Sequence, residues 1–194
     1  MARCVISLLG AVQIELDSNP LPRLESDKVR ALLAYLAVES HQAHTREKLV
    51  GLFWPEVSEA QARHRLSQAL HNLRQALGEI GMPGDRSGRP PYILATRIAL
   101  QFNLLSDHWL DVREFEQALA EVHKHGHRRL ETCRQCARLL AVAEQLYRGD
   151  FLSGISLRGC QAYEEWALVW RERVNRQVCE VLANLSLYHE GRGE

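Results

Sequence analysis

WPEVSEAQARHRLSQALHNLRQALG, residues 54–78, is the most informative segment of the chain. Pro55 ends whatever precedes it, and Ser58 with Gln61 forms an S-x-x-Q capping box, so a helix is expected from Glu59. Ala62, Leu66, Ala69, Leu70, Leu73 and Leu77 recur at spacings of three and four and therefore share one face, and Gly78 stands where a C-terminal cap belongs. That face reads as core. The rest of the surface carries Gln61, Arg63, His64, Arg65, Gln68, His71, Asn72, Arg74 and Gln75, with Glu59 and Glu79 only at the ends. No carboxylate lies between them to repel a phosphate. Arginine can donate two hydrogen bonds to guanine, and asparagine or glutamine can pair with adenine. His64, Arg65, Gln68, His71 and Asn72 are therefore candidates for reading bases, and Arg63 and Arg74 for phosphates. The plainer reading is a solvated amphipathic helix, and the surrounding elements must decide between the two.

Cys4 to Leu9 and Val12 to Leu16 are β-rich runs hinged at Gly10, followed by a turn region at Asn19, Pro20 and Pro22. Lys28 to Val38 has a helical apolar pattern, and Thr45 can cap a short helix from Arg46 to Phe53. After Gly78 comes a Pro- and Gly-rich segment through Pro91, then Tyr92 to Leu94 and Ile98 to Leu100 as two short strands around Ala95, Thr96 and Arg97. Two strands, three helices and a hairpin is the order of a winged helix-turn-helix. Arg89 and Arg97, near the hairpin, would then probe DNA backbone or minor groove.

The second half reads as helical. Asp111 is expected to cap a helix running to about Lys124, Leu130 to Arg148 to form another, and Gln161 to Glu190 a long third. Leu139, Leu140, Ala143, Leu146 and Tyr147 give the second an apolar face. Tyr163, Trp166, Trp170, Val174, Val178, Val181, Leu182, Leu185 and Tyr188 do so for the third, where core packing explains the aromatics. No 34-residue repeat is visible.

The first hundred residues resemble the OmpR-type winged helix of the Streptomyces antibiotic regulatory protein family of transcription activators. ISLLGAVQIEL, KVRALLAYLAV, Arg46 with Leu49, LFWPE, ARHRLSQALHNLRQAL and the hairpin at Tyr92 to Leu100 carry the resemblance. Downstream, DVREFEQAL (residues 111–119), LYRGDFLSG (146–154) and EEWALVWRERV (164–174) resemble the bacterial transcriptional activator domain that follows it in the family. The resemblance implies a mainly α chain with small β elements. Residues 1–103 would be the DNA-binding domain and 108–194 an incomplete, tetratricopeptide-like helical domain, with more helices following in the family. It further implies binding to double-stranded DNA at head-to-tail direct repeats and contact with RNA polymerase. An unfinished surface near Trp170 or Val178 would invite a homodimer.

Composition narrows the alternatives. The 194 residues are 46% hydrophobic and 25% charged, enough for one or two ordinary cores, and the formal net charge is zero. A general basic coat is excluded, so any grip on nucleic acid must be local. Met1-Ala2-Arg3 leads straight into a strand-like run, and the longest apolar stretch, Ala31 to Val38, is too short to span a bilayer. A cytoplasmic protein with no membrane partner is expected. There is no phosphate-binding loop, dinucleotide fingerprint, H-E-x-x-H or G-x-S-x-G, so no enzymatic activity is expected. The competing class is a helical protein-interaction module whose winged helix contacts protein instead of DNA.

The five cysteines are scattered and odd in number, unlike a disulfide framework. Cys4, Cys160 and Cys179 read as small buried hydrophobes. HKHGHRRLETCRQC, residues 123–136, differs. If Thr132 caps the helix there, Cys133 and Cys136 lie one turn apart and could hold a tetrahedral, structural zinc with His125 and His127, His123 being the alternate ligand. A thioredoxin-like role lacks the βαβ context it needs. The remaining reading is solvated histidines beside ordinary helix cysteines.

Overall fold

The computed structural model describes residues 4–21, 24, 26–80, 90–126 and 132–192. They form two compact units whose segments interleave in sequence. The first comprises residues through Ile6, Gln13–Trp109 and Ile155–Trp166, and the second Ser7–Val12, Leu110–Gly154 and the chain from Ala167.

β1 (Cys4–Ser7), β2 (Gln13–Leu16), β3 (Asn19–Pro20) and β7 (His108–Leu110) make a sheet in the order β3-β2-β1-β7, all but Ser7 and Leu110 of it in the first unit. Asp17 and Ser18 turn the β2–β3 hairpin with φ of 52° and 63°, so the turn falls just before Asn19, which is itself paired with Leu16. Helix α1 (Asp27–Val38) buries every residue from Ala31 to Ala37, as expected of a helix with other elements packed around it. A two-residue strand β4 (His44–Thr45) leads into α2 (Arg46–Phe53), capped as expected by Thr45, whose hydroxyl accepts the Lys48 amide at 3.2 Å. Then come α3 (Glu59–Ala76), β5 (Ile93–Ala95) and β6 (Ala99–Phe102). Strands β5 and β6 pair antiparallel, Ile93 opposite Phe102 and Ala95 opposite Leu100, and β4 joins the other side of β6. The wing is a three-stranded sheet in which the helical layer supplies one strand.

Helix α3 buries Ala62, Leu66, Ala69, Leu70 and Leu73, the stripe read from spacing. Its start differs from expectation: Ser58 has the extended N-cap backbone but makes no side-chain cap hydrogen bond, so no capping box closes. Its end is a Schellman motif. Gly78, at φ +73°, donates its amide to Gln75 O at 3.1 Å, and the Glu79 amide reaches Arg74 O at 2.8 Å.

His44 is buried under Tyr35, ring centroids 5.0 Å apart, with its Nε2 2.9 Å from Glu39 O. Burial, opposed by that carbonyl and helped by Lys48, lowers its pKa below the ordinary 6.5. The unfolded chain therefore takes up this proton first. Stability contributed by neutral His44 should be complete above pH 6.5 and lost as pH falls from there towards the lowered folded value. Urea denaturation at stepped pH should show this loss, and His44→Gln should flatten it. An unchanged slope in the variant would contradict the assignment.

In the second unit, α4 (Asp111–Lys124) and α5 (Arg134–Leu146) pack together, with the part of α6 (Gln161–Glu190) from Ala167 onward. The N-cap of α4 is Leu110, not Asp111. Asp111 is fully buried and its carboxylate accepts the amides of Leu8 at 2.7 and 2.9 Å, Leu9 at 2.9 Å and Val112 at 2.8 Å, with the Arg148 guanidinium at 3.3 Å. Burial pushes its carboxyl up from the ordinary value while the amides and Arg148 pull it down. Arg148 N–H donates to Leu9 O, and Leu9 bridges to Phe151, so Ser7–Val12 is bonded both to the start of α4 and to the turn after α5. Gly10, at φ +131°, lets the segment pass Arg148, whose Cβ would lie 3.2 Å from an added methyl.

Helix α5 begins at Arg134 with Cys133 as its N-cap, so Thr132 does not cap it. Leu182 is 49% exposed, and Cys179 is exposed while Cys4 and Cys160 are buried. Val178 is buried and Trp170 packs on Phe151 and beneath Arg173, whereas Leu168 and Val169 beside Trp170 are exposed.

Candidate nucleic-acid interface

The polar side of α3 stands in solvent: Arg63, His64, Arg65, Gln68, His71 and Asn72 are all exposed. The buried stripe forces this, because a helix with one face in the core must show the opposite one. Arg63 pairs with Glu59 one turn back, and Arg65 lies 3.5 Å from Glu56. Glu56 in turn accepts from Lys28 at 2.8 Å, and that bond holds its carboxyl below the usual range. Arg74 is placed differently. Its Nε donates to Glu79 at 2.9 Å, and the same nearly buried carboxylate accepts the amides of Tyr92 at 2.5 Å and Ile93 at 3.1 Å. Arg74 thereby ties the end of α3 to the start of β5. Arg89 lies outside the described residues.

Beside α3 a cleft of about 670 Å³ opens between the start of α2 and the wing, lined by Thr45, Arg46, Glu47, Arg63, Leu66, Ser67, Arg97 and Ile98. Arg46 builds it. Its amide donates to Ile98 O at 2.9 Å and its Nε to Thr96 O at 3.1 Å, which fastens the β5–β6 turn to the α2 N-terminus. The Thr96 hydroxyl accepts the amides of Ile98 at 3.3 Å and Ala99 at 3.0 Å, so the turn is also braced from within. Arg97 is exposed at its tip beside Ile98, itself 76% exposed. Three guanidiniums, one of them paired with Glu59 outside the lining, against the single lining carboxylate of Glu47 at the positive end of a helix make this a place where an anion gains energy. The structure brings Arg63 and Arg97 together, as neither spacing nor composition could. Arg46 had no assigned contact, although one signal was available: a cation at the first position of a helix opposes the macrodipole, so helix stability does not explain it.

The second unit contains a separate cluster. His125 Nδ1 lies 3.3 Å from Cys136 Sγ and 3.4 Å from Cys133 Sγ, and the three candidate ligand atoms lie within 4.8 Å of one another. These residues could hold a metal ion. The Cys136 amide pointing at Cys133 lowers the pKa of that thiol, whereas burial pushes Cys136 up to about 11. His123 is turned away, its Nδ1 2.8 Å from Leu119 O, and His127 lies outside the described residues.

No protein-family model matches the chain, and no curated protein matches it. Among solved structures it is similar to Mycobacterium tuberculosis EmbR in complex with a low-affinity phosphopeptide, at TM-score 0.67 and 25% identity, over 91% of this chain and 44% of that one. The chain thus spans less than half the length of EmbR. The shared fold is mostly helical with small sheets. Among the described residues no helix is long and apolar enough to cross a membrane.

Proposed function

We propose that the chain is a sequence-specific, DNA-binding transcriptional regulator of the Streptomyces antibiotic regulatory protein type, acting in the cytoplasm as an activator without enzymatic activity. Residues 1–103 form its DNA-binding domain and 108–194 its helical activator domain. The observation that carries this reading is the arginine cleft of Arg46, Arg63 and Arg97 lying beside the exposed, acid-poor face of α3. The likeness to EmbR over most of the chain supports it.

On this reading α3 enters the major groove. His64, Arg65, Gln68, His71 and Asn72 face base edges, and Arg65 exchanges Glu56 for a base. Arg46, Arg63 and Arg97 hold the phosphate backbone across the cleft, which fixes the register of α3 and releases counterions. Arg74 serves chiefly to set the angle between α3 and the wing, and Arg89 adds a backbone contact. With zero net charge the protein has little long-range pull on DNA, so two copies on a direct repeat supply the affinity that one lacks. The helical domain arranges those copies and meets RNA polymerase.

Selection of bound sequences from a randomised duplex pool tests the proposal. A repeated motif should be enriched, with a half-site spacing that reports how copies are arranged. No enrichment, with binding to protein partners that salt leaves unchanged, would favour the protein-interaction module instead.

A further inference from the structure

The geometry points to a zinc site formed by His125, Cys133 and Cys136, which fastens the end of α4 to the start of α5. Zinc–sulfur and zinc–nitrogen bonds of about 2.3 and about 2.05 Å at tetrahedral angles set a sulfur-to-nitrogen edge of about 3.5 Å. The two observed edges, 3.3 and 3.4 Å, are within about 0.2 Å of it. The ligands sit at defined places on the backbone: His125 is the C-cap of α4, Cys133 the N-cap of α5, and Cys136 lies in the first turn of α5. Nothing has to unwind for all three to reach one ion.

The donor set also selects the metal. Two sulfurs and an imidazole are poor ligands for magnesium or calcium, which take oxygen, and good ones for zinc. Two thiolates balance the charge of a divalent ion, so the half-buried site carries no net charge inward. The described residues supply three donors, and a fourth ligand completes the tetrahedron. Because α4 and α5 pack together and hold the three donors in place, an ion bridging their ends would bind the folded unit more tightly than the unfolded chain, and so stabilise it.

The test is elemental analysis of the full chain, purified without a metal-affinity tag and kept reduced, combined with cobalt(II) substitution. One equivalent of zinc per chain is expected, and cobalt should give the thiolate-to-metal charge-transfer band and strong visible absorption of a tetrahedral sulfur site. Both should be lost in Cys133→Ser and His125→Ala and kept in Cys179→Ser, whose cysteine lies elsewhere on α6. Chelation should lower the Tm of the wild-type chain by several degrees, reversed by added zinc, and this arm needs no variant to fold. Reduced wild-type protein that takes up neither zinc nor cobalt, or copper found in place of zinc, or metal retained in Cys133→Ser, would overturn the site. None of these readouts involves DNA, so failure here leaves the regulatory reading standing and the converse also holds.

Discussion

Asp111→Ala is expected to cost about 3–5 kcal/mol of unfolding free energy, because it strips a buried acceptor from several amides and removes the carboxylate that Arg148 faces. The Leu8 and Leu9 amides lie about a hundred residues away in sequence and have no water to turn to. Asp111→Asn should recover little, since its amide nitrogen would present a donor to donors. Arg148→Ala should be milder, because that side chain is 43% exposed and water screens its charge. Urea titration followed by circular dichroism gives the three values. A cost below about 1 kcal/mol for Asp111→Ala, the size of a typical surface change, would mean that Ser7–Val12 is held by something else.

The second large effect is on binding. Arg46→Ala with Arg97→Ala should weaken every duplex by a similar factor, tenfold or more, and reduce the slope of log affinity against log salt by about 2, one for each phosphate contact. Gln68→Ala should behave differently. It should cost about 1–3 kcal/mol on the preferred site and much less on unrelated duplexes, relaxing the choice at one base position. Fluorescence anisotropy on matched and scrambled duplexes at several salt concentrations separates the two patterns. Equal, sequence-independent losses from Arg46, Arg97 and Gln68 substitutions would reverse the division of labour between cleft and helix face. Arg74→Ala is a useful comparison, because loss of its Glu79 contact should appear in stability as well as in affinity.

Much of this arrangement was legible in the sequence. The 59–77 stripe, the Thr45 cap and the extent of the long third helix all rest on local periodicity or on one hydrogen bond between near neighbours, and such signals survive in a string of letters. What the sequence hid depends on distant partners. Strand β4 is two residues long and exists because β6 lies beside it, and Asp111 looks like a helix cap until Leu8 and Leu9 are brought to it. Ser58 shows the opposite failure: the right residue with the right backbone, yet no capping bond. The same holds for the candidate site. The exposed face of α3 follows from its buried stripe, but the meeting of Arg46, Arg63 and Arg97 needs the wing to fold back on the α2 N-terminus through Thr96 and Ile98. The His-Cys-Cys cluster was visible as a motif, and the turning away of His123 towards Leu119 was not.

The central claim is that this chain reads DNA sequence through α3 while the arginine cleft grips the backbone. Its most direct test is the affinity of the purified chain for the duplex enriched from a random pool, against a scrambled duplex of equal length, across a salt series. The account predicts preference for the enriched duplex by a factor of about 10³ or more, and a steep fall of both affinities with salt. Equal affinity for the two duplexes, or binding that salt leaves unchanged, would contradict it.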